Sequence, residues 1–177
     1  MMILPRSTLV LGGARSGKSR YAEEQVEAYD KGLYLATAEA LSDDTEMAAR
    51  IAKHQERRGD VWKTIEEPLD VANIISSQSM ADRPILVDCL TLWLSNLMFA
   101  KRDIDAVTTE LVAALEKSKG PVVLVSNEVG LGIVPENALA REFRDKAGIM
   151  NQVVAAACDR VVFMAAGLPL IMKDETK

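Results

Sequence analysis

The sequence has little of what marks membrane-embedded or exported proteins. None of its apolar runs approaches the roughly 20 residues that a membrane-spanning helix needs. The short apolar run before Gly12 has neither the length nor the cleavage site of a signal peptide. We therefore expect no membrane segment and no leader peptide.

Cysteine, histidine and excess positive charge are equally scarce. The 177 residues contain two cysteines, Cys89 and Cys158, and one histidine, His54. The cysteines have neither the spacing of metal ligands nor the number of a disulfide framework, so we expect reduced thiols and a cytoplasmic location. The net charge of −5 and the lack of a basic stripe interleaved with aromatic residues argue against a nucleic-acid partner.

Apolar and charged residues occur in the proportions of an ordinary globular protein. Apolar residues make up 49% of the chain and charged residues 27%. A chain of 177 residues is long enough to bury one sizeable core. We predict a single nucleotide-binding domain over residues 1–177, for the reasons that follow.

Strand and helix signals alternate along the whole chain. Short apolar runs predict strands at about 8–11, 33–36, 61–66, 84–88, 122–125, 161–165 and 170–172, with Gly167 and Pro169 turning between the last two. Amphipathic stretches predict helices at about 18–29, 46–58, 69–77, 90–99, 104–117 and 135–158, the last interrupted at Gly148. This alternation predicts an α/β fold of three layers, with a mostly parallel central sheet and helices on both faces.

Ligands of such folds bind at the carboxyl ends of the strands. We therefore expect the loops after four predicted strands to converge on one site: those that follow Leu11, Ala36, Asp88 and Val125.

A glycine-rich loop joins the first predicted strand to the first predicted helix. It consists of Gly12, Gly13, Ala14, Arg15, Ser16, Gly17, Lys18 and Ser19, and is called the phosphate loop below. The pattern Gly-x-x-x-x-Gly-Lys-Ser between a strand and a helix is typical of a nucleoside-triphosphate site. Backbone amides and the helix N-terminus would bind phosphate, Lys18 would reach the β/γ oxygens, and the Ser19 hydroxyl would bind Mg2+. The alternative is a glycine-rich turn that merely joins the two elements.

Asp88 ends the apolar run 84–88 and has two interpretations. A carboxylate at the end of a central strand resembles a Walker B aspartate, which would hold Mg2+ opposite Ser19. The same residue would alternatively cap the helix that follows. Thr91 is a weaker candidate for substrate contact, with helix capping as its simpler role.

His54 also has two interpretations. It ends an apolar face of the predicted helix 46–58, as a core histidine would. However, Lys53, Arg57 and Arg58 crowd the same helix end and would pair with a phosphate beside a neutral imidazole, which is a competent nucleophile. Attack on an α-phosphate would give a phosphoramidate intermediate.

The segment 127–137 follows a predicted central strand and contains glycines at 130 and 132. Asn127 and Glu128 would be well placed for substrate there. The alternative is a loop whose polar groups cap the next helix. In that helix, the residues Arg141, Arg144 and Asp145 favour an exposed salt-bridged face over an anion site.

Together these stretches resemble the bifunctional adenosylcobinamide kinase / adenosylcobinamide-phosphate guanylyltransferase family of cobalamin biosynthesis. The resemblance covers nearly the whole chain. It rests on the phosphate loop, on 47–51 leading to His54, on 88–91, and on 127–137 with 143–145. It implies a P-loop NTPase-type fold and an enzyme with two activities.

The resemblance implies two reactions in sequence. ATP or GTP phosphorylates the aminopropanol hydroxyl of adenosylcobinamide, and GMP from GTP is then transferred to that phosphate through a guanylylated histidine. Only His54 matches that histidine, while Lys18 and Mg2+ would neutralise the phosphates. The product is adenosylcobinamide-GDP.

Further site residues and an oligomeric state follow from the resemblance alone. The implied guanine-nucleotide contacts outside the phosphate loop are Thr37, Ala38, Glu39, Gln55, Glu56, Arg57, Arg58, Glu66 and Asp88. Family members are commonly small homo-oligomers, specifically trimers.

Two other functions stay open on the residues alone. A phosphate-loop kinase acting on another small alcohol would use His54 only as a core residue. A nucleotide-dependent switch would bind nucleotide without turning over a cobinamide substrate. The sequence leaves open whether ATP or GTP feeds the kinase step, and where the corrinoid binds.

Overall fold

The computed structural model describes residues 4–38 and 61–176, whose strands form a seven-stranded sheet. The strands are β1 Ser7–Gly12, β2 Gly32–Ala36, β3 Trp62–Glu66, β4 Ile85–Asp88, β5 Val122–Asn127, β6 Arg160–Ala165 and β7 Leu168–Asp174. Their order across the sheet is β3-β2-β4-β5-β1-β6-β7. Every neighbouring pair is parallel except β6 with β7, which confirms the predicted mostly parallel sheet.

Helices cover both faces of this sheet. They are α1 Lys18–Glu27, α2 Val71–Gln78, α3 Leu90–Phe99, α4 Ile104–Glu116 and α5 Ala138–Ala157. Leu9 of β1 shares a core cluster with Trp93 of α3, whereas the next residue, Val10, shares the other cluster with Val26 of α1. Because successive strand residues face opposite sides, a strand buried on both needs a continuous apolar run. The predicted three-layer α/β fold is therefore confirmed.

The last helix, α5, differs from its prediction because it runs through Gly148 without a break. It begins after Asn137, whose side-chain oxygen accepts hydrogen bonds from Leu139 N and Ala140 N. Ala147 and Met150 on either side of Gly148 are buried in the core, and this packing outweighs the low helix propensity of one glycine. The predicted interruption was wrong.

The prediction that Pro169 lies in the final turn was also wrong. Ala166 and Gly167 form the turn, with φ of 52° and 80°, and Pro169 pairs with Met164 inside β7. Proline is tolerated there because β7 is an edge strand and one of its sides has no ladder to complete. The predicted helix 46–58 lies outside the described residues. Within the described ranges, no helix combines the length and apolar character needed to cross a membrane.

The carboxyl ends of the central strands lie together, as predicted. Gly12 at the end of β1 is level with Asn127 at the end of β5. Asp88 at the end of β4 is level with Val125 of β5 and with Ala36 at the end of β2. The loops that leave these residues therefore share one edge of the sheet, called the carboxyl edge below.

Candidate active site

Two glycines allow the phosphate loop to close between β1 and α1. A Cβ on Gly12 would lie 2.5 Å from Ser16 Oγ and 2.6 Å from the Met164 carbonyl oxygen, so only glycine fits. Gly17 precedes α1 with a φ of 94°, in the left-handed region that glycine reaches without strain. These are the conformational requirements that the loop pattern was expected to meet.

The same loop contains features that cost stability. Arg15 has a φ of 57° although it is not glycine. The buried Ser16 hydroxyl has no hydrogen-bond partner, which typically costs about 1–3 kcal/mol. Locally unfavourable groups such as these two are concentrated where a protein holds a ligand. In the same loop, the Lys18 ammonium donates to the Gly13 carbonyl oxygen at 3.0 Å, and Lys18 is only 8% exposed.

Backbone groups far along the chain support the phosphate loop. The Glu128 amide donates to the Gly12 carbonyl oxygen at 3.0 Å, and the Gly167 amide donates to the Ser16 carbonyl oxygen at 2.9 Å. The first bond joins the loop to the segment after β5, and the second joins it to the β6–β7 turn. The segment 127–137 is thus attached to the predicted nucleotide site.

Asp88 is half-buried at the carboxyl edge, and the Tyr34 hydroxyl donates to its Oδ2 at 2.9 Å. The N-cap of α3 is Cys89, and no side chain caps it. The alternative interpretation of Asp88 as a helix cap is therefore wrong. A carboxylate fixed at this edge by a phenol fits the proposed metal-binding role.

Thr37 is fully buried, and its hydroxyl both donates to the Cys89 carbonyl oxygen at 2.7 Å and accepts from the Cys89 amide at 2.8 Å. Its own carbonyl oxygen accepts from the Asn96 side chain of α3 at 2.7 Å. A nucleotide contact through the Thr37 hydroxyl does not fit this arrangement. The residue positions the backbone beside Asp88 instead.

A buried polar network fixes the end of β5. The Ser126 hydroxyl donates to Asn151 Oδ1 at 2.7 Å and lies 3.5 Å from Thr91 Oγ1. Thr91 Oγ1 accepts from the Asn127 amide at 2.7 Å, and Asn151 Nδ2 donates to the Asn127 carbonyl oxygen at 3.4 Å. Buried polar groups satisfied by one another specify a single geometry. Thr91 therefore neither caps α3 nor faces solvent: it helps to hold Asn127 at the carboxyl edge.

Comparison with known proteins identifies the family. The model of the family "Cobinamide kinase / cobinamide phosphate guanyltransferase" matches residues 8–172. The chain belongs to this family. The bifunctional adenosylcobalamin biosynthesis protein CobP of Pseudomonas aeruginosa is 48% identical over 94% of this chain and 97% of its own. The corresponding protein CobU of Salmonella typhimurium is 43% identical over 93% of this chain and 98% of its own.

Family membership confirms the resemblance predicted from the motifs, and with it the predicted class of a kinase and guanylyltransferase of cobalamin biosynthesis. A solved protein of Pyrococcus horikoshii OT3, only 10% identical, superposes with a TM-score of 0.58 over 98% of this chain and 88% of its own. That likeness supports the fold alone.

Several site residues expected from the cobinamide kinase / guanyltransferase family lie outside the described residues. They are Glu39, His54, Gln55, Glu56, Arg57 and Arg58. Ala38 is half-buried after β2, and Glu66 is exposed at the end of β3, level with Ala36. Glu66 therefore lies at the carboxyl edge, as a nucleotide contact must.

Cys89 is a nucleophile by residue type, but its environment keeps it protonated. Burial raises the pKa of the Cys89 thiol to about 11, and the adjacent Asp88 charge acts in the same direction. Because the thiolate is the reactive form, this thiol is inert at neutral pH. A covalent step at this site thus needs a different nucleophile.

The polar residues of the 128–137 segment and α5 divide between loop bracing and ion pairing. The Arg141 guanidinium donates to the carbonyl oxygens of Pro135 and Glu136 at 2.9 and 2.5 Å. Arg144 pairs with Asp145 at 2.8 Å, so the predicted salt bridge forms between these two residues. The predicted exposed face does not extend to Arg141, and both arginines are half-buried.

Sequence reasoning missed four residues that position the site: Tyr34, Asn96, Ser126 and Asn151. Each is a polar residue in an apolar strand or helix, and that contrast is the local signal that points to a buried partner.

Proposed function

We propose that this family member phosphorylates adenosylcobinamide with ATP or GTP. It then transfers GMP from GTP to adenosylcobinamide phosphate through a guanylyl-histidine at His54, giving adenosylcobinamide-GDP. The observation that carries the proposal is a closed phosphate loop level with Asn127 at the carboxyl edge, in a chain whose residues 8–172 match the family model.

The kinase step requires a held phosphate and a positioned alcohol. The loop amides and Lys18 would bind the β- and γ-phosphates while the substrate hydroxyl attacks the γ-phosphorus in line. Asn127 and Glu128 are candidates to orient that hydroxyl, because they leave β5 beside the loop and Glu128 is bonded to it.

Ser19 and Asp88 would bind Mg2+ in this step. Hydroxyl and carboxylate oxygens suit Mg2+, which takes few protein ligands beside substrate phosphates and water. The described residues contain no cluster of three or more acidic, histidine or cysteine side chains suited to a metal. When bound, Mg2+ supplies charge neutralisation on the phosphate oxygens.

The guanylyl-transfer step requires a nucleophile at the α-phosphorus. The His54 imidazole would attack there with pyrophosphate leaving, and the phosphate of the corrinoid would then take the GMP group from the histidine. Arg57 and Arg58 would neutralise phosphate charge, and Glu39, Gln55, Glu56 and Glu66 would contact the guanine nucleotide. Burial raises the pKa of the Cys89 thiol to about 11, which counts against Cys89 as the covalent residue.

We assign the whole of residues 1–177 to one domain of a cytoplasmic homotrimer. The described elements share one sheet with core clusters on its two faces. β7 exposes large apolar side chains at the edge of that sheet, as an assembling chain requires.

The test is a covalent-adduct assay. The protein is incubated with GTP and Mg2+, and an acid-labile increase of one GMP is sought by intact mass. The adduct should vanish in His54→Ala and persist in Cys89→Ala, the matched change at the buried thiol beside Asp88.

Equal adduct in His54→Ala would refute the histidine assignment. Phosphorylation of adenosylcobinamide without any adduct in the wild type would leave the kinase alone as the function.

A further inference from the structure

A cavity of about 730 Å3 opens between the end of α3, the start of α4 and the first turns of α5. Its walls are mainly apolar and include Met98, Phe99, Leu139 and Phe143. The charged side chains that line it are Lys101, Arg102, Lys146 and Glu142. The cavity is separate from the phosphate loop, and none of the roles assigned above uses it.

The cavity lies on the same side of the molecule as the phosphate loop. Asn96, one helical turn before Phe99, donates to the Thr37 carbonyl oxygen at 2.7 Å, so this part of α3 is attached to the carboxyl edge. At 1.5 Å per residue, α3 rises only about 12 Å from Leu90, two residues after Asp88, to the cavity wall at Met98. Asn137, which ends the segment attached to the phosphate loop, also lines the cavity.

Two large apolar side chains of this cavity are left in water. Phe99 is 80% exposed and Leu139 is 56% exposed. Facing apolar groups around a concave surface are typical of a binding site for a bulky apolar ligand. The flexible Met98 side chain adapts easily to such a surface.

Lys101 occupies a backbone position that normally holds glycine. It follows the C-cap of α3 with a φ of 53°, its amide donates to the Met98 carbonyl oxygen at 3.1 Å, and the Arg102 amide donates to the Leu97 carbonyl oxygen at 2.9 Å. This is the Schellman ending, in which glycine avoids the strain that a side chain causes.

The Lys101 ammonium gains no compensating ion pair among the described residues, unlike Arg102, which pairs with Asp70, and Lys146, which pairs with Glu142. A strained residue with an unused cation at the mouth of an apolar cavity is suited to bind a ligand.

We propose that this cavity binds the corrin macrocycle of adenosylcobinamide, an inference that rests on the function proposed above. The macrocycle has a broad apolar face and a rim of amide groups. Its face packs on Phe99 and Leu139, and the ammonium of Lys101 donates hydrogen bonds to amide oxygens. The hydroxyl-bearing arm then extends along the carboxyl edge toward the phosphate loop.

The test compares three variants for direct corrinoid binding. Leu139→Glu places a charge on the apolar wall. Lys101→Gly removes the cation and suits the left-handed backbone, so it keeps the fold. Ile149→Glu is the matched control, because Ile149 lies on the same helix, is 55% exposed and does not line the cavity.

The dissociation constant of adenosylcobinamide is measured by equilibrium dialysis, with the melting temperature as a check on folding. We expect the dissociation constant to rise at least tenfold in Leu139→Glu, three- to tenfold in Lys101→Gly, and less than twofold in Ile149→Glu. The KM for the nucleotide and the GMP adduct formed with GTP alone should not change.

Wild-type affinity in both cavity variants would overturn the assignment, as would equal weakening in Ile149→Glu. The proposed function fails separately if the wild type binds adenosylcobinamide but neither phosphorylates it nor forms the GMP adduct.

Discussion

Asp88 and Cys89 are neighbours in sequence with opposite electrostatic conditions. The Asp88 carboxylate is half-buried and accepts a hydrogen bond from Tyr34, whereas the Cys89 thiol is buried and its pKa is raised to about 11. The surroundings explain the contrast, because Cys89 packs in the core cluster that contains Val10 and Val26, whereas Asp88 ends β4 at the carboxyl edge. The site thereby gains a charged oxygen ligand and loses a competing nucleophile.

Cys158 at the end of α5 provides a pH-dependent prediction. Burial raises the pKa of its thiol from 9.0 to about 12, so the folded protein keeps a proton that the unfolded chain releases above pH 9. Unfolding stability should therefore fall between pH 9 and 12. At full effect the slope is about 1.4 kcal/mol per pH unit for this group.

The measurement is the free energy of denaturant unfolding at several pH values from 8 to 11 in the wild type and in Cys158→Ala. The variant should lose stability less steeply above pH 9, although the cavity it creates lowers its stability at every pH. Parallel curves for the two proteins would contradict the prediction.

At the scale of helices and strands, local patterns predicted most of the fold. The bounds of α3 match their prediction. The buried strands were predicted because short continuous apolar runs bounded by turn residues are typical of strands buried on both faces. The errors at Gly148 and Pro169 share a cause: both residues were given their intrinsic preference, and tertiary packing decided otherwise. Neither the length of α5 nor the edge position of β7 can be predicted from the few residues around Gly148 or Pro169.

Gly148 yields a prediction for α5. A Cβ on Gly148 would meet no heavy atom within 4 Å, so Gly148→Ala should stabilise the helix by about 0.5–1 kcal/mol. That corresponds to a rise in melting temperature of roughly 1–4 °C for a chain of this size.

Gly120→Ala is the opposite control for this measurement, since its Cβ would lie 1.8 Å from the Met80 carbonyl oxygen. It should lower the melting temperature. A fall in Gly148→Ala would mean that α5 is bent or covered at this point in solution.

The site was predictable to the extent that its residues lie close together in sequence. The phosphate loop is eight consecutive residues, and its glycines indicate in the sequence itself where the backbone must be left-handed or closely packed. The pairs that position the rest of the site are distant in sequence: Tyr34 and Asp88 are 54 residues apart, and Ser126 and Asn151 are 25 apart. Pairings of this kind depend on strand order, which a single sequence does not specify.

At the scale of the whole molecule, the edge of the sheet formed by β7 exposes a run of apolar side chains. β7 leaves Leu168, Leu170, Ile171 and Met172 between 55% and 72% exposed. Consecutive exposed apolar residues on an edge strand are an aggregation hazard for a monomer, and proteins normally cover or charge such an edge. A second copy of the chain is the partner that the trimer proposed above requires.

Charging this edge should therefore dissociate the assembly. We expect Leu170→Lys combined with Met172→Lys to convert a trimer to a monomer, as measured by light scattering after size-exclusion chromatography. Met80→Lys, which charges an apolar residue of similar exposure (51%) outside β7, should leave the mass unchanged. A double variant that stays trimeric would place the interface elsewhere.

The two backbone bonds to the phosphate loop also set an order of events during synthesis. Residues 12–19 are synthesised before Glu128 and Gly167, whose amides bond the Gly12 and Ser16 carbonyl oxygens, and β1 needs β5 and β6 as neighbours. Such non-local pairings form slowly, since long loops must close first. The nascent chain consequently gains its phosphate loop only after β5, β6 and Gly167 have been synthesised, and nucleotide binding reports that these distant parts are in place.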